Sequence, residues 1–223
     1  MSDSRSRILA DIAQALAGRA VNVRSSAVES PVQPISGFDP AGSAATLRRF
    51  AESLARVGGE CHILNDEEAA LSQLRGFLGE CHGQSVLVPP DLEFSRMGMG
   101  RIVQETGCTA LDAESVPLEV ASRVAIGITV AFGGIADTGS IVLIHATLAD
   151  QLSALLPPTH LVLIRRQGIY PDKNNLLDRL KAGGTNLSDS QMIWITGPSL
   201  TADIEKVLVR GAHGPRRVVV LIY

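Results

Sequence analysis

Residues 191–223 read QMIWITGPSLTADIEKVLVRGAHGPRRVVVLIY, and the way this stretch passes between apolar runs and polar loops decides the fold. Its two ends, Gln191–Thr196 and Arg217–Tyr223, hold continuous apolar runs in place of the polar alternation of a one-sided strand. Strands buried on both faces have this pattern. Between them the residues predict a turn at Gly197 and Pro198, an amphipathic helix, and a glycine-bounded loop around His213. Ser199 or Thr201 can cap such a helix, and Asp203 and Glu205 in its first turn suit the exposed amides there.

Working upstream, IVLI at 141–144 and LVLI at 161–164 are further continuous runs. Together they predict an α/β fold of three layers, a mostly parallel sheet with helices on both faces. Leu47, Phe50, Ala51, Leu54 and Val57 fall at helical spacing, and Gly58-Gly59 end that helix before the strand ECHIL. Asn65 or Asp66 caps a second helix carrying Ala70, Leu71, Leu74, Phe77 and Leu78, which leads to the strand SVLVP. Residues 1–42 read as an N-terminal helical extension followed by an arm rich in Pro, Ser and Gly, and residues 43–223 as the α/β domain.

Composition narrows the function classes. At 223 residues and 45% hydrophobic content the chain can bury a full core. The formal net charge of −3 comes with no basic cluster longer than Arg48-Arg49, Arg165-Arg166 and Arg216-Arg217, so nucleic acid is not an expected partner. No apolar run approaches the ~18 residues that a membrane span needs. The N-terminal stretch carries Asp11 and Gln14 within its apolar part and does not read as a signal peptide. Three cysteines, without a secretory signal, point to reduced thiols and a cytoplasmic setting.

No cofactor is implied. Gly98-Met-Gly100 is followed by Val103 where a dinucleotide fingerprint needs glycine, and the phosphate-binding lysine motif is missing. Glu-Cys-His occurs twice, at 60–62 and 80–82, but neighbouring residues on a strand face opposite ways, so Cys61 and His62 do not close on one metal. Cys61, Cys81 and Cys108 are one ligand short of an all-cysteine iron-sulfur cluster.

The chemistry is therefore expected in polar loops. The segment Gly133–Ser140 sets Asp137, Thr138 and Ser140 between glycines ahead of a buried strand, where Gly134 and Gly139 allow close approach of backbone to a ligand. Asp137 reads either as an acid, base or nucleophile, with Thr138 and Ser140 gripping an anion, or as a turn residue beside a positive-φ Gly139. His213, followed by Gly214, is the histidine best placed for proton exchange. Ser199, Thr201, Asp203 and Glu205 form the third candidate, a helix N-terminus facing a ligand. In a parallel α/β unit the loops holding Asp137 and His213 share one sheet edge, and the GPS turn faces the other.

Four blocks, IADTGSIVL (135–143), LLPPTHLVLI (155–164), GPSLTADIE (197–205) and GAHGP (211–215), resemble the lactate utilization protein C family, the LUD-domain proteins. Ser140 stands where Thr is common in that family, and Gln151-Leu152 where an Arg is expected. The resemblance implies a fold similar to the sugar-phosphate isomerase and CoA-transferase group. It also implies a role in L-lactate oxidation to pyruvate beside iron-sulfur partner subunits, with a small organic acid or other anion as ligand. The arm from Arg19 to Gly42 is then the candidate docking surface. A stand-alone isomerase or CoA-transferase, with Asp137 and His213 catalytic, and a ligand-binding regulatory protein are the alternative readings.

Overall fold

Ser43 opens the first helix because its Oγ accepts the Thr46 N–H at 3.1 Å, filling one of the amides that a helix start leaves unpaired. The computed structural model describes residues 41–88, 95–113, 115–121, 123–145, 148–182, 191–202, 208–210 and 214–223. The expected N-terminal helix and most of the arm lie outside them.

Helix α1 (Ala44–Arg56) ends as expected at Gly58, whose φ of 86° is left-handed, and strand β1 (Glu60–Ile63) follows. Asp66 caps α2 (Glu67–Gly79) by accepting the Ala69 N–H at 2.8 Å. Strand β2 (Ser85–Val88), helix α3 (Met99–Glu105), strand β3 (Thr109–Asp112), helix α4 (Leu118–Ala121) and strand β4 (Ile126–Val130) complete the first half. Then come β5 (Gly133–Ile135), β6 (Ser140–His145), α5 (Leu148–Leu155), β7 (Thr159–Ile164), β8 (Ile169–Tyr170), α6 (Lys173–Ala182), β9 (Gln191–Ile195), β10 (Leu200–Ala202), β11 (Leu208–Arg210) and β12 (Arg217–Ile222).

Six strands form a parallel sheet in the order β1-β12-β7-β4-β2-β3. Its faces divide the apolar runs by alternation. Val219 and Leu221, with Leu161, Leu163, Ile126 and Ile128, pack beneath α2 and α3, while Val218, Val220 and Ile222, with Val162 and Ile164, meet Leu47, Phe50 and Leu54 of α1. On the α1 face α5 comes so close to β4 that a Cβ at Gly127 would stand 1.7 Å from the Ser153 carbonyl oxygen. The α/β architecture with helices on both faces of a mostly parallel sheet is therefore as the residues predict. Among the described residues no helix is long and apolar enough to cross a membrane.

Two expectations need correction. IVLI and MIWI do not join the parallel sheet. They form β6 and β9 of a second sheet, β8-β5-β6-β9, in which β5, β6 and β9 pair antiparallel. Only Ala136–Gly139 separates β5 from β6, far too short for the crossover that parallel neighbours need. The helix expected after Ser199 is, where described, a hairpin: Leu200–Ala202 pairs antiparallel with Leu208–Arg210. Leu200, Ile204 and Leu208 at four-residue spacing satisfy a helical period, but so short a run fits two strands as well, and β-branched Thr201 and Val209 favour the extended form.

Candidate functional site

The C-terminal turn of α1 organises the site. Ser53 is 2% exposed, a polar side chain in the row of core residues, and its hydroxyl donates to the Asp137 carbonyl oxygen at 3.3 Å. The Ser53 hydroxyl oxygen in turn accepts from Arg56 Nη2 at 2.7 Å. One proton and one lone pair thus join the helix end to the β5–β6 turn. Arg56 lies in the last helical turn, where a cation is favoured by the exposed carbonyls.

The turn itself is pressed onto the helix. Gly139, at φ 69°, sits where a Cβ would lie 2.3 Å from the Leu54 amide nitrogen. Its positive φ agrees with the turn reading of this loop. Asp137 and Thr138 are exposed on its outer side. The Asp137 amide donates to the Pro171 carbonyl at 3.2 Å, so the residue's own N–H and C=O are both bonded, one to backbone and one to the Ser53 hydroxyl.

Ser140, at 4% exposure, is the centre of a hydroxyl row. Its Oγ lies 2.7 Å from Thr138 Oγ1 and 2.7 Å from Thr196 Oγ1. Thr196 ends the β9 run, and the next residue, Gly197, packs so that a Cβ would fall 2.8 Å from the Val57 carbonyl oxygen. The α1 terminus is therefore flanked by both the Asp137 turn and the Thr196–Gly197 turn.

The strands arrange this for topological reasons. α1 runs back along the parallel sheet and hands over to β1 within Val57–Gly59, so its C-terminus stands at the end where β1 and β12 begin. Ser199 belongs here too: its amide donates to the Pro215 carbonyl at 2.8 Å, and Gly214 packs against its side chain. The expectation that GPS and GAHGP face opposite sheet edges is thus overturned. It assumed a helical crossover between them, and a hairpin returns the chain to the edge it left.

Asp137, Thr138, Gly139 and Ser140 share one turn, with Ser199 and Gly214 joined nearby. Gly134 lies within β5, where a Cβ would meet Phe50 Cε2 at 2.7 Å, so packing alone requires a glycine. Thr201 falls on β10. Asp203, Glu205 and His213 lie outside the described residues, and with them the expected pairing of Asp137 and His213. Ser53, Arg56 and Thr196 were not singled out from the sequence. The one available signal was a serine among the buried positions of α1, three residues before an arginine.

Beside this cluster, Cys61 is half-buried against the apolar residues facing α1, and desolvation pushes its thiol up to about 12. His62 points the other way and meets the Phe77 ring edge-on at 5.7 Å. Cys61 and His62 thus face apart, as strand geometry predicts. Arg217 grips Glu60 with two hydrogen bonds, at 2.7 and 2.8 Å, and lies over the Phe77 ring. That bond holds the Glu60 carboxyl below its ordinary value.

The profile of the LUD domain family matches residues 47–223. An Escherichia coli K12 protein described as uncharacterized protein YkgG is 28% identical, across 99% of this chain and 98% of that one. Lactate utilization protein C of Bacillus velezensis is 30% identical over 69% of this chain and 68% of its own. A protein of the same description from Deinococcus radiodurans is 27% identical over 82% of each. Among solved structures, a DUF162 family protein from Deinococcus radiodurans has a similar fold, with a TM-score of 0.56 at 19% identity, over 80% of this chain and 96% of that one.

Proposed function

The chain belongs to the LUD domain family, and on that premise we propose that it is an accessory component of L-lactate utilization, acting in the cytoplasm with iron-sulfur partner proteins in the oxidation of lactate to pyruvate. The observation that carries this reading is the alignment with proteins described as lactate utilization protein C over more than two thirds of their length. Oxidation of lactate to pyruvate releases two electrons and two protons. An electron acceptor must come from outside this chain's cysteines, which are too few for an all-cysteine cluster.

In this reading the ligand is a small organic acid and its contacts are Thr138, Gly139, Ser140 and Ser199, with Asp137 and His213 as the proton-handling groups. Asp203, Glu205 and Gly214 are further contacts in this reading, and Gly134 and Thr201, the remaining members of the set, stand on β5 and β10. The openness of the cluster favours an accessory role over a stand-alone isomerase or CoA-transferase: Asp137 and Thr138 are exposed, and water would compete with any substrate held there.

The test is lactate-dependent electron transfer by the purified chain, by its iron-sulfur partners, and by the mixture, using wild type and Asp137→Asn. Activity confined to the mixture, and lowered by the substitution, is the expected result. A mixture indifferent to this chain would overturn the lactate assignment.

A further inference from the structure

The hydrogen bonds at the end of α1 link a cation, through Ser53, to the turn that carries Thr138 and Ser140. Arg56 gives one N–H to Ser53 and, with the described residues, makes no ion pair. A guanidinium carries five donors in a planar fork that matches a carboxylate. Ser53 is buried and its own proton is committed to the Asp137 carbonyl, so it can only accept from Arg56, which fixes where that head group sits. Arg56 also lines a surface depression with Glu52 and Ala55.

The hydroxyl row supplies the complementary half. Thr138, Ser140 and Thr196 hold three hydroxyl protons and make two mutual hydrogen bonds, so one proton is left over. When the two bonds run in one direction along the row, from either end, that proton emerges at an outer threonine, and both threonines are exposed; when both threonines donate to Ser140, it stays on the middle hydroxyl and the threonines offer acceptors. A row of this kind offers a donor or an acceptor to a neutral oxygen and has no charge with which to hold an anion.

We infer that Arg56, oriented by Ser53 against the Asp137 carbonyl, is the carboxylate-binding residue of this site, and that its ligand is a small monocarboxylate with a hydroxyl or carbonyl oxygen for the Thr138–Ser140–Thr196 row. Glu52, on the same depression, limits the affinity by repelling the carboxylate. The inference deepens the lactate reading and rests on it for the choice of probe.

Isothermal titration of the full chain with L-lactate, pyruvate and acetate tests it, using wild type, Arg56→Gln, Arg56→Lys, Glu52→Gln and, as an exposed control, Arg101→Gln. Wild type and the control should bind lactate or pyruvate alike. Arg56→Gln should weaken binding by about tenfold or more, and Arg56→Lys should recover part of it, since it keeps the charge and loses the fork. Glu52→Gln should tighten binding by about twofold to threefold. Equal binding by Arg56→Gln and wild type would overturn the assignment while leaving the lactate role standing, and so would wild type that binds no monocarboxylate while supporting lactate-dependent electron transfer. Binding of acetate that depends on Arg56, with none of lactate or pyruvate, would uphold the cation and remove the lactate reading.

Discussion

The amide of Ser199 donates to the carbonyl of Pro215 at 2.8 Å, tying together two loops that the sequence separates by a whole structural unit. Because the donor is backbone, Ser199→Ala should leave stability unchanged within about 0.5 kcal/mol, whereas Ser199→Pro, which removes the N–H, should cost about 1–3 kcal/mol. Urea denaturation of both variants decides it. Equal effects would mean that the bond contributes nothing.

Gly139 lies against the backbone of α1 at a left-handed φ. Gly139→Ala should destabilise by about 2 kcal/mol or more, from strain at positive φ and from collision with the Leu54 amide. A neutral result in a denaturation curve would contradict the packing of this turn on the helix.

Gly134 and Phe50 form a steric pair. Gly134→Ala should be strongly destabilising in the wild-type background and much less so beside Phe50→Leu, which removes ring atoms from the space the new methyl needs. The double-mutant cycle should give a coupling of about 1 kcal/mol or more. Strict additivity would place the two residues out of contact.

The hydroxyl row depends on its middle member. Ser140→Ala removes both of its hydrogen bonds at a buried position and should cost about 1–2 kcal/mol. It should also weaken monocarboxylate binding while Arg56 remains intact. Unaltered thermal stability and ligand affinity would show that the row is incidental.

Glu60 gives a pH signature. Its folded-state carboxyl is held low chiefly by the hydrogen bond from Arg217, so its contribution is present above the ordinary glutamate range and fades as pH falls through the lowered folded value. With side chains 40% and 44% exposed, the pair should be worth only about 0.2–1 kcal/mol. The stability difference between wild type and Glu60→Gln should close on acidification. A gap that widened at low pH would reverse the sign.

The helices were largely legible in the sequence. α1 and α2 carry their own signals, a serine or aspartate cap, apolar residues at helical spacing and, for α1, a terminal glycine. Each signal is local, so it acts the same wherever the helix packs. The runs LVLI and RVVVLI were equally readable, since both faces of the parallel sheet are covered and each strand must be apolar throughout. The loop Asp137–Ser140 was recognised as polar and glycine-bounded, and Gly139 takes the positive φ that its turn requires.

Strand partners are another matter. IVLI and MIWI are as apolar as LVLI, yet they pair antiparallel in a second sheet, because pairing direction is set by connections and by which surface remains to be covered. Leu200–Arg210 likewise satisfies a helical period, yet its described ends, Leu200–Ala202 and Leu208–Arg210, pair as antiparallel strands. Residues by themselves therefore determined the α/β class, the caps and the identity of the polar loops. Only the tertiary structure brought Ser53 of α1 against Asp137, and Thr196 against Ser140. Those contacts join segments 56 and 84 residues apart, and nothing local distinguishes a serine that will reach across the fold from one that will face water.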